Sequence, residues 1–220
     1  MFKDLDFLHR QHRAAKKRSD FAGKRIGIYS GTFNPVHAGH IAFAVQALSE
    51  ANLDQVVFLP ERQPRHKTGV EHFGHRVAML NKAVKPHPAL AVLELVDKNF
   101  TVHRTLPQLK TLFHGATLVM LMGSDTAQYV PSWPYAKDLL KSTELVVGVR
   151  STHQSDEIER VIRGWTVQPA RLHVLKSFAP DVSSSDIRQA LRTNGSAKGL
   201  LASVRKYARR EWLYASTENL

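Results

Sequence analysis

His37 and His40 end the stretch Gly31-Thr32-Phe33-Asn34-Pro35-Val36-His37-Ala38-Gly39-His40. At the start of a helix, positions i and i+3 let two imidazoles face the same anion. Late in the chain, Pro180-Asp181-Val182-Ser183-Ser184-Ser185-Asp186-Ile187-Arg188 offers a second candidate. Hydroxyls and free N–H groups at a helix start, with an arginine on the first turn, can cradle a phosphate. The same serines are also good helix N-caps, and their residue types alone leave capping and anion binding both open.

The elements that must position these residues are visible as patterns. Strand-like runs are Arg25–Ser30, Gln55–Pro60, Leu90–Val96, Thr117–Gly123, Glu144–Arg150 and Arg171–Lys176. Helix-like runs are Gly39–Glu50, Phe73–Val84, Val102–Phe113, Ser132–Lys141, Ser155–Gly164, Ser184–Arg192 and Ala197–Tyr214. Short runs rich in Val, Leu and Ile suit strands buried on both faces. Their alternation with helices predicts an α/β fold with a parallel sheet and right-handed crossovers. In such sheets ligands bind beyond the carboxyl ends of the strands, which is where Gly31–His40 falls. No G-x-G-x-x-G is present, so a dehydrogenase-type dinucleotide fingerprint is excluded.

Composition bounds the function classes. The 220 residues suit one large α/β domain, or one domain plus a small extension. Cysteine is absent, which excludes disulfides and thiolate metal sites and permits a reducing cytoplasm. No apolar run has the length of a membrane span, and the N-terminus lacks the apolar core of a secretory signal. Residues 1–24 form a basic arm carrying His9, Arg10, Arg13, Lys16, Lys17 and Arg18; residues 25–220 are expected to form the domain. The net charge of +12 fits either nucleic-acid binding or an enzyme with polyanionic small substrates. No RNA-stacking motif, zinc spacing or helix-turn-helix pattern accompanies the charge, which favours the second reading. A homo-oligomer stays open.

The first stretch resembles the HxGH signature of the nucleotidyltransferase superfamily, G-(T/S)-F-(D/N)-P-x-(H/T)-x-G-H. The second is similar to that superfamily's I-S-S-T-x-x-R, with Val182 for the Ile and Ser185 for the Thr. Three further segments resemble bacterial nicotinate-mononucleotide adenylyltransferases. Pro60-Glu61-Arg62-Gln63-Pro64-Arg65-His66-Lys67 looks like P-x-x-x-P-P-H-K, departing at Arg65. Phe73-Gly74-His75-Arg76-Val77-Ala78-Met79-Leu80 looks like the H-R-x-x-M-L helix; Val77, Met79 and Leu80 are expected in the core and Arg76 in a structural role. Gly123-Ser124-Asp125 followed by Trp133 matches G-x-D and a spaced Trp. A looser match, Asn99-Phe100-Thr101-Val102-His103-Arg104-Thr105-Leu106, resembles S-Y-T-x-D-T-L with one residue inserted and no Asp. Val204-Arg205-Lys206-Tyr207 and Leu213-Tyr214 resemble the family's ending and read as packing residues. Trp165 and Trp212 match nothing and are expected to pack.

The resemblance implies a Rossmann-like parallel sheet with helices on both faces, and adenylyl transfer from ATP to nicotinate mononucleotide, a step of NAD biosynthesis. It implies ATP contacts from Gly31, Thr32, Phe33, His37, His40, Gly123, Asp125, Ser184, Ser185 and Arg188, with His37, His40 and Arg188 catalytic. It implies mononucleotide contacts from Thr32, Lys67, Thr101 and Trp133, the first Thr of the looser match reading the pyridine carboxylate. Mg²⁺ would ride mainly on the ATP phosphates, since this ion usually takes few protein ligands. The competing readings are the same fold acting on nicotinamide mononucleotide, phosphopantetheine or a flavin, and a basic nucleic-acid-associated or regulatory protein without catalysis.

Overall fold

The structure, a computed structural model, describes residues 21–149, 152–176, 182–194 and 196–215. Residues 1–20 of the basic arm, Arg150 at the end of an expected strand, and Pro180 and Asp181 of the second motif lie outside the described residues.

The strands are β1 (Arg25–Gly31), β2 (Gln55–Pro60), β3 (Leu90–Val92), β4 (Thr117–Gly123), β5 (Glu144–Val149) and β6 (Leu172–Lys176). The described helices are α1 (Ala38–Glu50), α2 (Phe73–Val84), α3 (Val102–Leu112), α4 (Ser124–Ala127), α5 (Ala136–Ser142), α6 (Thr152–Arg163), α7 (Ser184–Asn194) and α8 (Ala202–Arg210). The six strands form one sheet in the order β3-β2-β1-β4-β5-β6, and every neighbouring pair is parallel. The predicted α/β class and Rossmann-like sheet are what the chain adopts.

Alternation along the strands feeds two cores. Leu118, Met120 and Met122 of β4 pack with α3, α5 and α6 on one face, while Val119 and Leu121 pack with α1, α2 and α8 on the other. The expected core residues Val77, Met79 and Leu80 are buried, and Trp165 packs on the first of these faces. Trp212 is 68% exposed, so the expectation that it packs does not hold.

Three boundaries differ for identifiable reasons. β3 ends at Val92 rather than Val96, because the carbonyl of Leu95 accepts Arg62 Nε at 2.7 Å and the chain leaves the sheet edge. The helix expected from Ser132 starts only at Ala136, after a single 3₁₀ turn over Val130–Ser132. Pro134 is the cause: a residue before proline is driven out of the helical region, and Trp133 is extended at φ −72, ψ 141. The last helix is confined to Ala202–Arg210, bracketed by left-handed Gly199 before it and left-handed Trp212 and Tyr214 after it.

Candidate active site

The strand order reverses direction between β1 and β4, the point where open α/β sheets bind ligands. Two cavities open there, of about 470 and 540 Å³. They share a wall made by Ser30, Gly31, Thr32, Lys67, Met122 and Thr126.

Local packing forces the loop after β1 into place. Phe33 takes a left-handed φ of 50, unusual for a residue with a side chain, and buries its ring edge-on against Tyr29, Phe58 and His40. That ring lies over Gly31, where a Cβ would come within 3.0 Å of it. Buried Arg76 of α2 then clamps the loop. Its guanidinium donates to the carbonyls of Thr32 (2.7 Å), Glu61 (2.7 Å), Arg62 (3.2 Å) and Glu71 (3.0 Å). The expected structural role of Arg76 thus has a specific content: one cation ties together the ends of β1 and β2.

The 470 Å³ cavity is lined by Thr32, Asn34, His40, Lys67, Ser184, Ser185 and Arg188 among others, and among the described residues by no carboxylate. The second motif docks directly on the first. Arg188 donates from Nη1 to the Asn34 carbonyl (2.8 Å) and from Nη2 to Ser185 Oγ (3.1 Å), while Ser184 Oγ donates to the Pro35 carbonyl (2.9 Å). Capping falls to Ser183, whose Oγ accepts the Asp186 N–H at 3.1 Å. The serine run therefore divides its work: Ser183 caps the helix, while Ser184 and Ser185 line the cavity.

His40 lines this cavity, and His37 is buried behind it with ring centroids 3.7 Å apart. The His37 backbone N–H donates to His40 Nδ1 at 3.2 Å, so the proton of a neutral His40 sits on Nε2. Burial, reinforced by the nearby His37 and Lys67, holds the His40 pKa well below the usual histidine value. His40 is thus a neutral Nε2–H donor at physiological pH.

The 540 Å³ cavity is lined by Glu61, Arg65, Phe100, Thr101, His103, Trp133 and Tyr135, together with the shared wall. The Trp133 indole packs against Phe100 at 6.3 Å between centroids. Thr101 Oγ1 is buried without a hydrogen-bond partner among the described residues. Burial pushes the Glu61 carboxyl above its usual pKa; the Phe100 N–H, at 3.3 Å, works in the opposite direction. On the shared wall, Lys67 Nζ donates to Thr32 Oγ1 at 2.9 Å.

Of the residues the sequence singled out, Gly31, Thr32, Phe33, His40, Gly123, Ser184, Ser185, Arg188 and Lys67 meet at one cavity, and Thr101 and Trp133 at the other. A Cβ on Gly123 would meet nothing within 4 Å, so the space above it is open to the cavity. Asp125 lines neither cavity; it faces an adjoining cleft beside Gln128, Gln154 and Glu157. No Asp follows Thr101, yet an acid reaches this helix start from upstream, where Asp97 Oδ2 accepts Thr105 Oγ1 at 2.9 Å.

Three residues take parts here that sequence reasoning did not give them. Asn34 is buried; its Oδ1 accepts the Glu71 N–H (3.2 Å) and the Tyr214 hydroxyl (2.8 Å). Tyr214, expected only to pack, therefore latches the C-terminal segment onto the loop that Arg188 also holds. Glu61 follows a strand in a polar loop and carries no motif signal; only the fold shows it turned into a cavity.

Comparison with known proteins agrees with this arrangement. A family model described as cytidylyltransferase-like matches residues 28–190. A probable nicotinate-nucleotide adenylyltransferase of Neisseria meningitidis is 30% identical over 198 residues, covering 87% of this chain and 98% of that protein. One from Carboxydothermus hydrogenoformans is 33% identical over 177 residues, covering 78% and 88%. Among solved structures, nicotinic acid mononucleotide adenylyltransferase of Plasmodium falciparum complexed with NaAD shares the fold, with a TM-score of 0.71 over 87% of this chain and 97% of that one at 17% identity. The chain belongs to the nicotinate-nucleotide adenylyltransferases, within the cytidylyltransferase-like family.

Proposed function

We propose that this chain transfers the adenylyl group of ATP to nicotinate mononucleotide, giving nicotinate adenine dinucleotide and pyrophosphate in NAD biosynthesis. The observation that carries this reading is the Thr32–Lys67 pair on a wall shared by an anion-binding cavity and an aromatic one. A phosphate attached to a ring in one cavity and a triphosphate in the other would meet there.

A phosphate oxygen of the mononucleotide attacks the α-phosphorus of ATP as the bond to the bridging oxygen of pyrophosphate breaks. No protein nucleophile is required, and catalysis consists of positioning and charge stabilisation. His40, supported by His37, donates Nε2–H to the α-phosphate as charge builds. Arg188, Ser184 and Ser185 hold the leaving pyrophosphate, against the loop amides of Gly31 to Phe33. Lys67 and Thr32 hold the attacking phosphate. Trp133 stacks on the pyridine and Thr101 offers its hydroxyl to the ring substituent. The adenosine runs over Gly123 towards Asp125.

Among the described residues no group of three or more His, Cys, Asp or Glu could hold a metal ion, and the anion cavity presents no carboxylate. A resident metal site does not fit these residues. The Mg²⁺ of the reaction is proposed to arrive on the ATP phosphates. The cytoplasm is the proposed compartment; no helix among the described residues is long and apolar enough to cross a membrane.

Pyrophosphate release from ATP, measured across nicotinate mononucleotide, nicotinamide mononucleotide, phosphopantetheine and flavin mononucleotide, tests the proposal. The highest kcat/KM is expected with nicotinate mononucleotide. Release with none of them, combined with tight RNA binding at physiological salt, would establish the non-catalytic alternative.

A further inference from the structure

The ring cavity has a cation that the family pattern does not have. Arg65 stands where P-x-x-x-P-P-H-K has its second adjacent proline. Its Nη2 donates to Asn99 Oδ1 at 2.7 Å and to the Phe100 carbonyl at 3.4 Å. Asn99 is itself held, its Nδ2 donating to the Gln63 carbonyl at 3.4 Å. The guanidinium is thus anchored on the backbone of Phe100, the residue whose ring packs against Trp133. Its Nε and Nη1 donate to nothing among the described residues.

Arg65 lines the ring cavity but not the wall shared with the anion cavity, whereas Lys67 lines both. Nicotinate mononucleotide has two anionic ends, a phosphate and a ring carboxylate. With the phosphate at Lys67, the other permanent cation lining the cavity is left for the other anionic end. We propose that Arg65 is a specificity-determining residue that binds the pyridine carboxylate and makes this protein prefer the acid mononucleotide to the amide. The inference rests on the adenylyl-transfer reading and deepens it. A guanidinium matches a carboxylate in shape and charge, and its donors have no comparable acceptor on a carboxamide. Glu61 lies in the same cavity and works the other way: an ionised carboxyl there repels the acid and accepts from an amide N–H₂.

The test is the ratio of kcat/KM for nicotinate mononucleotide over nicotinamide mononucleotide. Because each variant is measured on both substrates, a loss of folded protein cancels. In Arg65→Met the ratio falls about 10- to 100-fold, the range for one charge-assisted hydrogen-bonded pair, mainly through a raised KM for the acid. Arg65→Lys keeps the charge without the fork and falls between. Asn99→Ala frees the guanidinium and lowers the ratio by less than Arg65→Met, and Glu61→Gln raises it. Equal losses on both substrates in Arg65→Met, or a wild type that does not distinguish them, would overturn the inference and leave adenylyl transfer standing. A wild type that releases pyrophosphate with neither mononucleotide would overturn both.

Discussion

In the anion cavity the polar heads are already tied down. Arg188 holds the carbonyl of Asn34, Ser184 that of Pro35, His40 the N–H of His37, and Lys67 the hydroxyl of Thr32. In the ring cavity, among the described residues, Thr101 Oγ1 has no partner, Arg65 keeps two donor nitrogens free, and Tyr135 is exposed. The difference follows from what each region has to do. Charge that develops at phosphorus is stabilised best by dipoles that do not reorganise, so the donors there are fixed beforehand. Recognition of a ring and its substituent instead uses groups left unsatisfied until the ligand arrives, which penalises a ligand that cannot satisfy them.

His40→Ala tests the fixed side and should have the largest effect. It removes a preorganised donor, so kcat for pyrophosphate release is expected to fall about 10²- to 10³-fold with little change in the KM for mononucleotide. A loss confined to KM would make His40 an ordinary binding contact. Trp133→Ala tests the adaptable side. Loss of stacking, about 1–3 kcal/mol for a base on an aromatic ring, should raise the KM for mononucleotide roughly 5- to 150-fold and leave that for ATP unchanged. If both KM values rise together, the two cavities are not separate subsites.

Tyr214→Phe sharpens the comparison from a distance. It removes one hydroxyl from Asn34 Oδ1 and leaves the buried amide oxygen, among the described residues, only the Glu71 N–H. A stability loss of about 1 kcal/mol in urea titration is expected, with a fall in kcat of a few fold because the loop that Arg188 grips is loosened. An unchanged kcat would show that the latch serves folding alone.

The smallest effect is on pH dependence. An unfolded His40 takes up a proton near pH 6.5, and the folded ring does so only at a much lower pH. Below about pH 6.5 the unfolded state binds more protons, so stability falls with decreasing pH until the folded ring also titrates. His40→Gln should flatten that part of the curve, as read from thermal midpoints between pH 5 and 7. A curve parallel to wild type would mean that His40 titrates normally in the folded protein.

How far the sequence alone reached differs along the chain. The strands β1, β2 and β4 were legible because runs such as Gln55–Pro60 are apolar, short and bounded by polar loops. The break at Trp133 was not, because a helical pattern outweighed the proline that extends the preceding residue. The Gly31–His40 and Ser183–Arg188 segments were recognisable because each sits at a helix start with its own residue-type signature. The contacts of Asn34, Glu61 and Tyr214 were not, because an amide bonded to distant segments, a half-buried carboxyl and a lone tyrosine have no local pattern that announces them.

The sequence by itself determined the alternation of strand and helix and the residue types at the two helix starts proposed to bind anions, because both are set within one or two turns of chain. Only the tertiary structure decided that Arg188 would close on Asn34, that Lys67 would reach Thr32, and that Arg65 would share a cavity with Trp133. Those contacts join segments separated by tens of residues or more, and the order in which the six strands pack fixes which of them meet.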